Sequence, residues 1–155
     1  MAAFITNRPA RLADTPVITS GSAYASGQSI GGLREIARAQ VGPLHLIAQS
    51  LIIADASAQN LPIDVFLFYD QPSGGSTITD KSAISLAAAD KLLCIGVVSV
   101  VDWKAEGIGQ ALNLALPVEI DNGKSLWSAM VARGTPTFGS TSALTLQLDL
   151  LKGRL

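Results

Sequence analysis

Charge is scarce in this sequence. Of its 155 residues only 15% are Asp, Glu, Lys or Arg, against about 25% in an average globular domain, and the two signs nearly cancel to a net charge of −1. Without a basic stripe to neutralise phosphates, nucleic-acid binding is not expected. The one local excess is at the start, where Arg8 and Arg11 precede the first acid, Asp14.

Cysteine is rarer still. Cys94 stands alone, which excludes an intramolecular disulfide, and its setting in Leu92-Leu93-Cys94-Ile95-Gly96 is that of a small buried hydrophobe rather than a reactive thiol. The single histidine, His45, together with one cysteine and scattered carboxylates, cannot furnish a tetrahedral zinc set. Aromatic residues make up 5% of the chain, a thin supply for a carbohydrate-stacking platform. No long apolar run occurs: the best, Leu92 to Val101, is interrupted by Gly96 and Ser99 and is too short for a bilayer. The first residues, Met1-Ala2-Ala3-Phe4-Ile5-Thr6, lack the basic-then-apolar order of a signal peptide, so neither membrane nor secretion is expected.

The motifs that look chemical fail on their surroundings. Gly27-Gln28-Ser29-Ile30-Gly31 fits G-x-S-x-G, but a nucleophile elbow needs a preceding strand, a following helix, and an acid and a histidine further along. Only Glu35 lies between Ser29 and His45, in a segment too short to build that sheet. Gly123-Lys124-Ser125 ends like a phosphate-binding loop, yet Val118 stands where its first glycine belongs. Gly107-Ile108-Gly109 lacks the third glycine of a dinucleotide site. Asp14, Asp55, Asp64, Asp70, Asp80, Asp90, Asp102 and Asp121 mostly lie within two positions of a Ser, Asn or Pro, as turn-forming aspartates do. No catalytic, metal or cofactor residues are assigned, and the chain is not expected to be an enzyme.

What is abundant is apolar surface, at 48% of residues, much of it in period two. Ile63, Val65, Leu67 and Tyr69 alternate with Asp64, Phe66 and Phe68. Leu112, Leu114, Leu116, Val118 and Ile120 alternate with Asn113, Ala115, Pro117 and Glu119. Leu144, Leu146, Leu148 and Leu150 alternate with Thr145, Gln147 and Asp149. These are strands with one buried face, and Pro117 places its strand at an edge or a bulge. Leu44–Asp55 and Leu92–Val101 read as buried strands, Thr15–Thr19 as a short β-favouring piece, and Ser125–Arg133 as a further strand. Asp121-Asn122-Gly123-Lys124 predicts a tight hairpin between Ile120 and Ser125. The Ala-rich Ser85–Lys91 is the one helix candidate, while Leu33–Gln40 fits a helical turn as well as a strand. Seven or eight strands at this spacing predict an all-β domain, a two-sheet, jelly-roll-like β-sandwich with at most one short helix. It would span residues 15–155, preceded by an extended N-terminal arm over residues 1–14.

Several stretches occur in an order that resembles a family. They are Thr15-Pro16-Val17-Ile18-Thr19 with Gly31-Gly32-Leu33, then Leu67-Phe68-Tyr69-Asp70 and Ile95-Gly96-Val97-Val98, then Leu116-Pro117-Val118. The most distinctive is Val131-Ala132-Arg133-Gly134-Thr135-Pro136-Thr137-Phe138, running into Ser142-Ala143-Leu144-Thr145-Leu146. Over roughly residues 15–151 the chain resembles the cement, or decoration, proteins of tailed-bacteriophage heads. That resemblance implies a jelly-roll-like domain on the outer capsid surface, sited at symmetry axes and bridging neighbouring major capsid proteins. The protein would be made in the bacterial host's cytoplasm and end in the virion. Its expected partners are the major capsid protein and itself, as a homodimer rather than a trimer. The expected contact residues are Phe4, Ile5, Arg8 and Arg11 of the arm, together with Trp127, which alternation places on the face opposite Leu126 and Met130. The rival expectations are another virion part, such as a tail or fibre base, and a glycan- or small-ligand-binding sandwich using Trp103, Tyr24 or Tyr69.

Overall fold

The computed structural model describes residues 10–37 and 44–152. Among the described residues there are nine strands: β1 Ala10–Asp14, β2 Ser29–Ala37, β3 Leu44–Asp55, β4 Ile63–Phe68, β5 Cys94–Val100, β6 Asp102–Lys104, β7 Ile108–Ile120, β8 Leu126–Ala132 and β9 Leu144–Lys152. The helix, α1, is the single turn Ala88–Lys91, shorter than the Ala-rich stretch that announces it.

The strands form two antiparallel sheets, ordered β1-β9-β3-β7-β6 and β2-β8-β4-β5. Leaving aside the three-residue β6, the chain winds between them as two interleaved four-stranded sheets, β1-β9-β3-β7 facing β2-β8-β4-β5. That winding is the jelly roll, a double sheet built from two Greek keys. Between the sheets lies one core. Leu51 and Ile53 of β3, Val65 and Leu67 of β4, Val98 and Val100 of β5, Val118 and Ile120 of β7, and Leu144, Leu146, Leu148 and Leu150 of β9 are all buried within it. Burying a leucine or valine contributes about 1.5–3 kcal/mol, so alternation at period two is enough to fix which face of each strand turns inward.

Three local expectations are corrected. Residues 10–14 of the expected arm are a strand: β1 pairs with β9 from Ala10↔Leu150 to Asp14↔Leu146; residues 1–9 lie outside the described residues. The Asp121–Lys124 turn closes no hairpin, because β7 pairs with β3 and β6 while β8 pairs with β2 and β4. A hairpin turn of that kind needs positive φ at both central residues, and only Gly123 has it; the turn carries the chain from one sheet to the other. Thr15–Thr19 joins no strand, whereas Ser29–Ala37 is a strand, β2. Its period is hidden by a bulge at Gly31-Gly32, where the register to β8 slips between Ile30 and Leu33. Both glycines have positive φ, and a Cβ on Gly31 would lie 2.5 Å from Pro16 Cβ, so no other residue fits there without displacing the segment above it.

Candidate interaction surface

The outer face of the β2-β8-β4-β5 sheet is covered. Phe68, Ala129 and Val131 are buried although they belong to no part of the inter-sheet core. The segment between β4 and β5, residues 69–93, folds back along β2: Ser29 N donates to Ser82 O, Lys81 N to Ser29 O, and Leu33 N to Ile78 O.

Two aspartates pin this overlay. Asp80 accepts hydrogen bonds from Tyr24 OH at 2.7 Å and Gly31 N at 2.7 Å on one oxygen, and from Thr19 Oγ1 at 2.7 Å and Thr19 N at 3.0 Å on the other. Burial opposes the charge on Asp80, yet the bonds from Thr19, Gly31 and Tyr24 outweigh it and hold the carboxyl below the usual carboxylate range. The same burial, with Asp80 beside it, pushes the Tyr24 phenol well above its ordinary value. Asp90, buried at the end of α1's first turn, accepts from Ser76 Oγ and from the amides of Gly74 and Ser76, and the Ser76 hydroxyl leads in lowering its pKa. Asp80 and Asp90 are thus scaffolding groups of a folded loop. Asp55 plays a similar part, accepting from Ser57 N and Gln59 N, each at 2.8 Å.

The two lateral flanks of the sandwich differ in chemistry. On one, β1 and β2 are tied by the Arg34 guanidinium, which donates to both carboxylate oxygens of Asp14. On the other, β5 ends its sheet and β7 runs beyond the short cover of β6, which pairs only with Ile108–Gln110. A groove of about 250 Å³ opens there, lined by Gly96, Val98 and Ser99 of β5 and Ala111, Leu114 and Leu116 of β7. Its shape comes from a wide bulge: Ser50 faces Leu112 and Ala48 faces Leu116, so β7 spends extra residues there. Asn113 and Ala115 take positive φ, at 56° and 48°, a strained choice for alanine. Leu114 stands between them, packed on the edge of the core. Beside the groove Val97 is 46% exposed and Leu112 is 52% exposed, and Val101, at the corner from β5 to β6, is 65% exposed. The uncharged stretch from Leu92 to Val101 therefore makes an edge strand, not the fully enclosed strand its composition predicts.

The expected contact residues are not gathered into one place. Phe4, Ile5 and Arg8 lie outside the described residues. Arg11 sits on β1, with its Nε 2.8 Å from Asp149 Oδ1 on β9, so its charge is already engaged. Trp127 is half-buried on the outer face of its sheet, opposite Glu35 and Phe68, with Leu126 and Met130 turned into the core. Of the aromatic residues offered for a ligand platform, Tyr24 is 1% exposed. Trp103 packs against the core, its ring over Gly109 and its indole N–H enclosed. Cys94 is half-buried, and burial pushes its thiol up. Among the described residues no cluster of His, Cys, Asp and Glu is arranged to hold a metal ion, and no helix is long and apolar enough to cross a membrane. Sequence reading missed both the Asp80 network and the exposed flank. The first joins residues distant in the chain; the second left one trace, the absence of charge from Leu92 to Val101.

The fold defines the chain as a jelly-roll β-sandwich. No family model matches it, and no curated protein does. Among solved structures it is similar to one described as "The Structure of Tomato Aspermy Virus by X-Ray Crystallography", over 97% of this chain and 79% of that chain, at 10% identity and a TM-score of 0.46. A likeness of that size assigns neither family nor function.

Proposed function

We propose that this protein is a head cement protein of a tailed bacteriophage, binding the outer surface of the assembled shell and bridging neighbouring major capsid proteins. The observation that carries the reading is the jelly-roll wrapping, an architecture used by capsid domains among others, in a chain whose ordered sequence stretches resemble that family. A rigid double sheet with one flank clamped and the other apolar suits a part that works by contact rather than by chemistry. Such a protein stabilises the shell by mass action, because it binds the assembled lattice and not the separated subunits, and many modest contacts linked through oligomers add by effective concentration.

Quantitative mass spectrometry of purified particles tests this. Copy numbers comparable to the major capsid protein are expected. A few copies per particle would assign the chain to a tail or fibre base instead, and absence from the particle would remove the virion reading altogether.

A further inference from the structure

The four sheet edges of this sandwich are not treated alike. β1 is five residues long and carries Arg11 and Asp14. β2 is bulged at Gly31-Gly32, carries Arg34 and Glu35, and is overlaid by residues 77–85. β6 is three residues long and carries Asp102 and Lys104. Short length, charge, bulges and cover are the devices by which natural sheets prevent edge-to-edge pairing. β5 keeps only one of these devices, a bulge at Ile95 where Cys94 and Gly96 face Phe68 and Leu67. It runs seven residues, Cys-Ile-Gly-Val-Val-Ser-Val, with no charge and no proline, and among the described residues no strand lies on its outer side.

We infer that β5 is a self-association edge, pairing antiparallel with β5 of a second copy of this chain. The two β2-β8-β4-β5 sheets would then continue as one across a two-fold axis. The electrostatics fit that occupant. Two uncharged strands meet with no like charges opposed, whereas a charged partner would find no complement on β5. The size fits as well. Ala111–Ile120, the part of β7 that β6 leaves uncovered, spans about 33 Å, and at ~20 Å across the flank is roughly 660 Å², a little under the ~800 Å² that each partner gives to a standard interface. The groove beside β5 supplies the apolar component, with Leu114, Leu116, Val97 and Leu112 placed to exclude water around the new ladder. This inference does not depend on the capsid reading; it concerns the isolated chain.

The test is light scattering of the full-length protein at tens of micromolar, joined to amide hydrogen exchange. The expected result is a mass of twice 16.0 kDa, with alternate amides of Cys94–Val100 protected at high concentration and released on dilution. Val97→Lys combined with Ser99→Lys should weaken association about tenfold or more by placing like charges across the ladder. Its circular dichroism should be unchanged, and Leu92→Lys, at a position 80% exposed and off the strand, should leave the mass unaltered. A monomer whose β5 amides exchange freely overturns the inference. So does a dimer whose mass and protection survive the double lysine variant. If deleting residues 2–9 alone abolishes both dimer and protection, that segment and not β5 fills the edge, and the inference again fails.

Discussion

Arg34 grips Asp14 with two parallel hydrogen bonds, Nε to Oδ2 at 2.9 Å and Nη2 to Oδ1 at 2.8 Å, joining the edge strands of opposite sheets. Being half-exposed, the pair is worth at most about 1 kcal/mol. Its larger effect is geometric, closing one flank of the sandwich with charge while the β5–β7 flank stays open and apolar. Arg34→Ala should therefore barely shift the melting temperature but raise amide exchange along β1, measurable on the residues paired with Leu146–Leu150.

Asp80→Ala leaves the Thr19 hydroxyl, Gly31 N and the Tyr24 hydroxyl without their shared acceptor, while Thr19 N keeps the Tyr24 hydroxyl oxygen at 2.8 Å. Orphaned buried donors cost about 1–3 kcal/mol each before relaxation, and relaxation should leave a net loss of about 3 kcal/mol, or roughly 9 °C in Tm for a chain this long. Asp80→Asn, which keeps an acceptor oxygen, should lose less. Because the folded carboxyl is held low, its contribution is complete above the unfolded value near ~4 and disappears as pH falls through the folded value. Wild type should lose stability below about pH 4, and the Asp80→Asn variant should show a shallower acid limb in denaturant titrations.

Tyr24 has the opposite sign. Its folded phenol is held above the ordinary tyrosine value of 10.0, so its stabilising effect is whole below pH 10 and is lost as pH rises beyond it. Above that point the unfolded chain releases a proton that the native one keeps, and stability should fall by up to about 1.4 kcal/mol per pH unit. Tyr24→Phe should cost about 1–2 kcal/mol at neutral pH through the missing bond to Asp80 and flatten the alkaline decline.

Gly31→Ala combines positive φ with a Cβ 2.5 Å from Pro16 and should destabilise by about 3 kcal/mol. Gly75→Ala, also at positive φ but with nothing within 4 Å, should cost about 1 kcal/mol from backbone strain alone. Equal losses in thermal melts would show that crowding under the Pro16 segment is not what selects glycine at position 31.

For the proposed shell binding, the variant to make removes residues 2–9, which spares β1. Affinity for assembled heads should drop while the circular dichroism spectrum holds. Unchanged affinity would take Phe4, Ile5 and Arg8 out of the contact. Trp127→Ala is the companion test for the outer face of the β2-β8-β4-β5 sheet.

The strands with an unbroken period were legible in the sequence. Leu44–Asp55 coincides with β3, and β4 and β9 begin at Ile63 and Leu144, because burial of one face leaves little choice of register. β1 was not legible, since Ala-Arg-Leu-Ala-Asp is a polar edge with one inward leucine. β2 was masked by its glycine bulge, which breaks the count of two. Asn122-Gly123 announces a turn but carries no information on whether the strands it joins will pair. The overlay from 69 to 93 has no period at all; it is fixed by Asp80 and Asp90, whose partners are named by the tertiary structure and not by spacing. The open flank was half visible: an uncharged run looks the same whether it is enclosed by its own chain or exposed along an edge.

The position of β9 between β1 and β3 has a consequence for biosynthesis. Arg11 meets Asp149 across 138 positions of chain, so β1 has no ladder partner until β9 is made. Until Leu144–Lys152 emerges, the larger sheet is cut in two and β3 lacks one of its ladders. Sheets closed by such distant pairings form slowly. The larger sheet is therefore completed only once Leu144–Lys152 has docked between β1 and β3, and until then the unpaired edges of those two strands stay open to other chains.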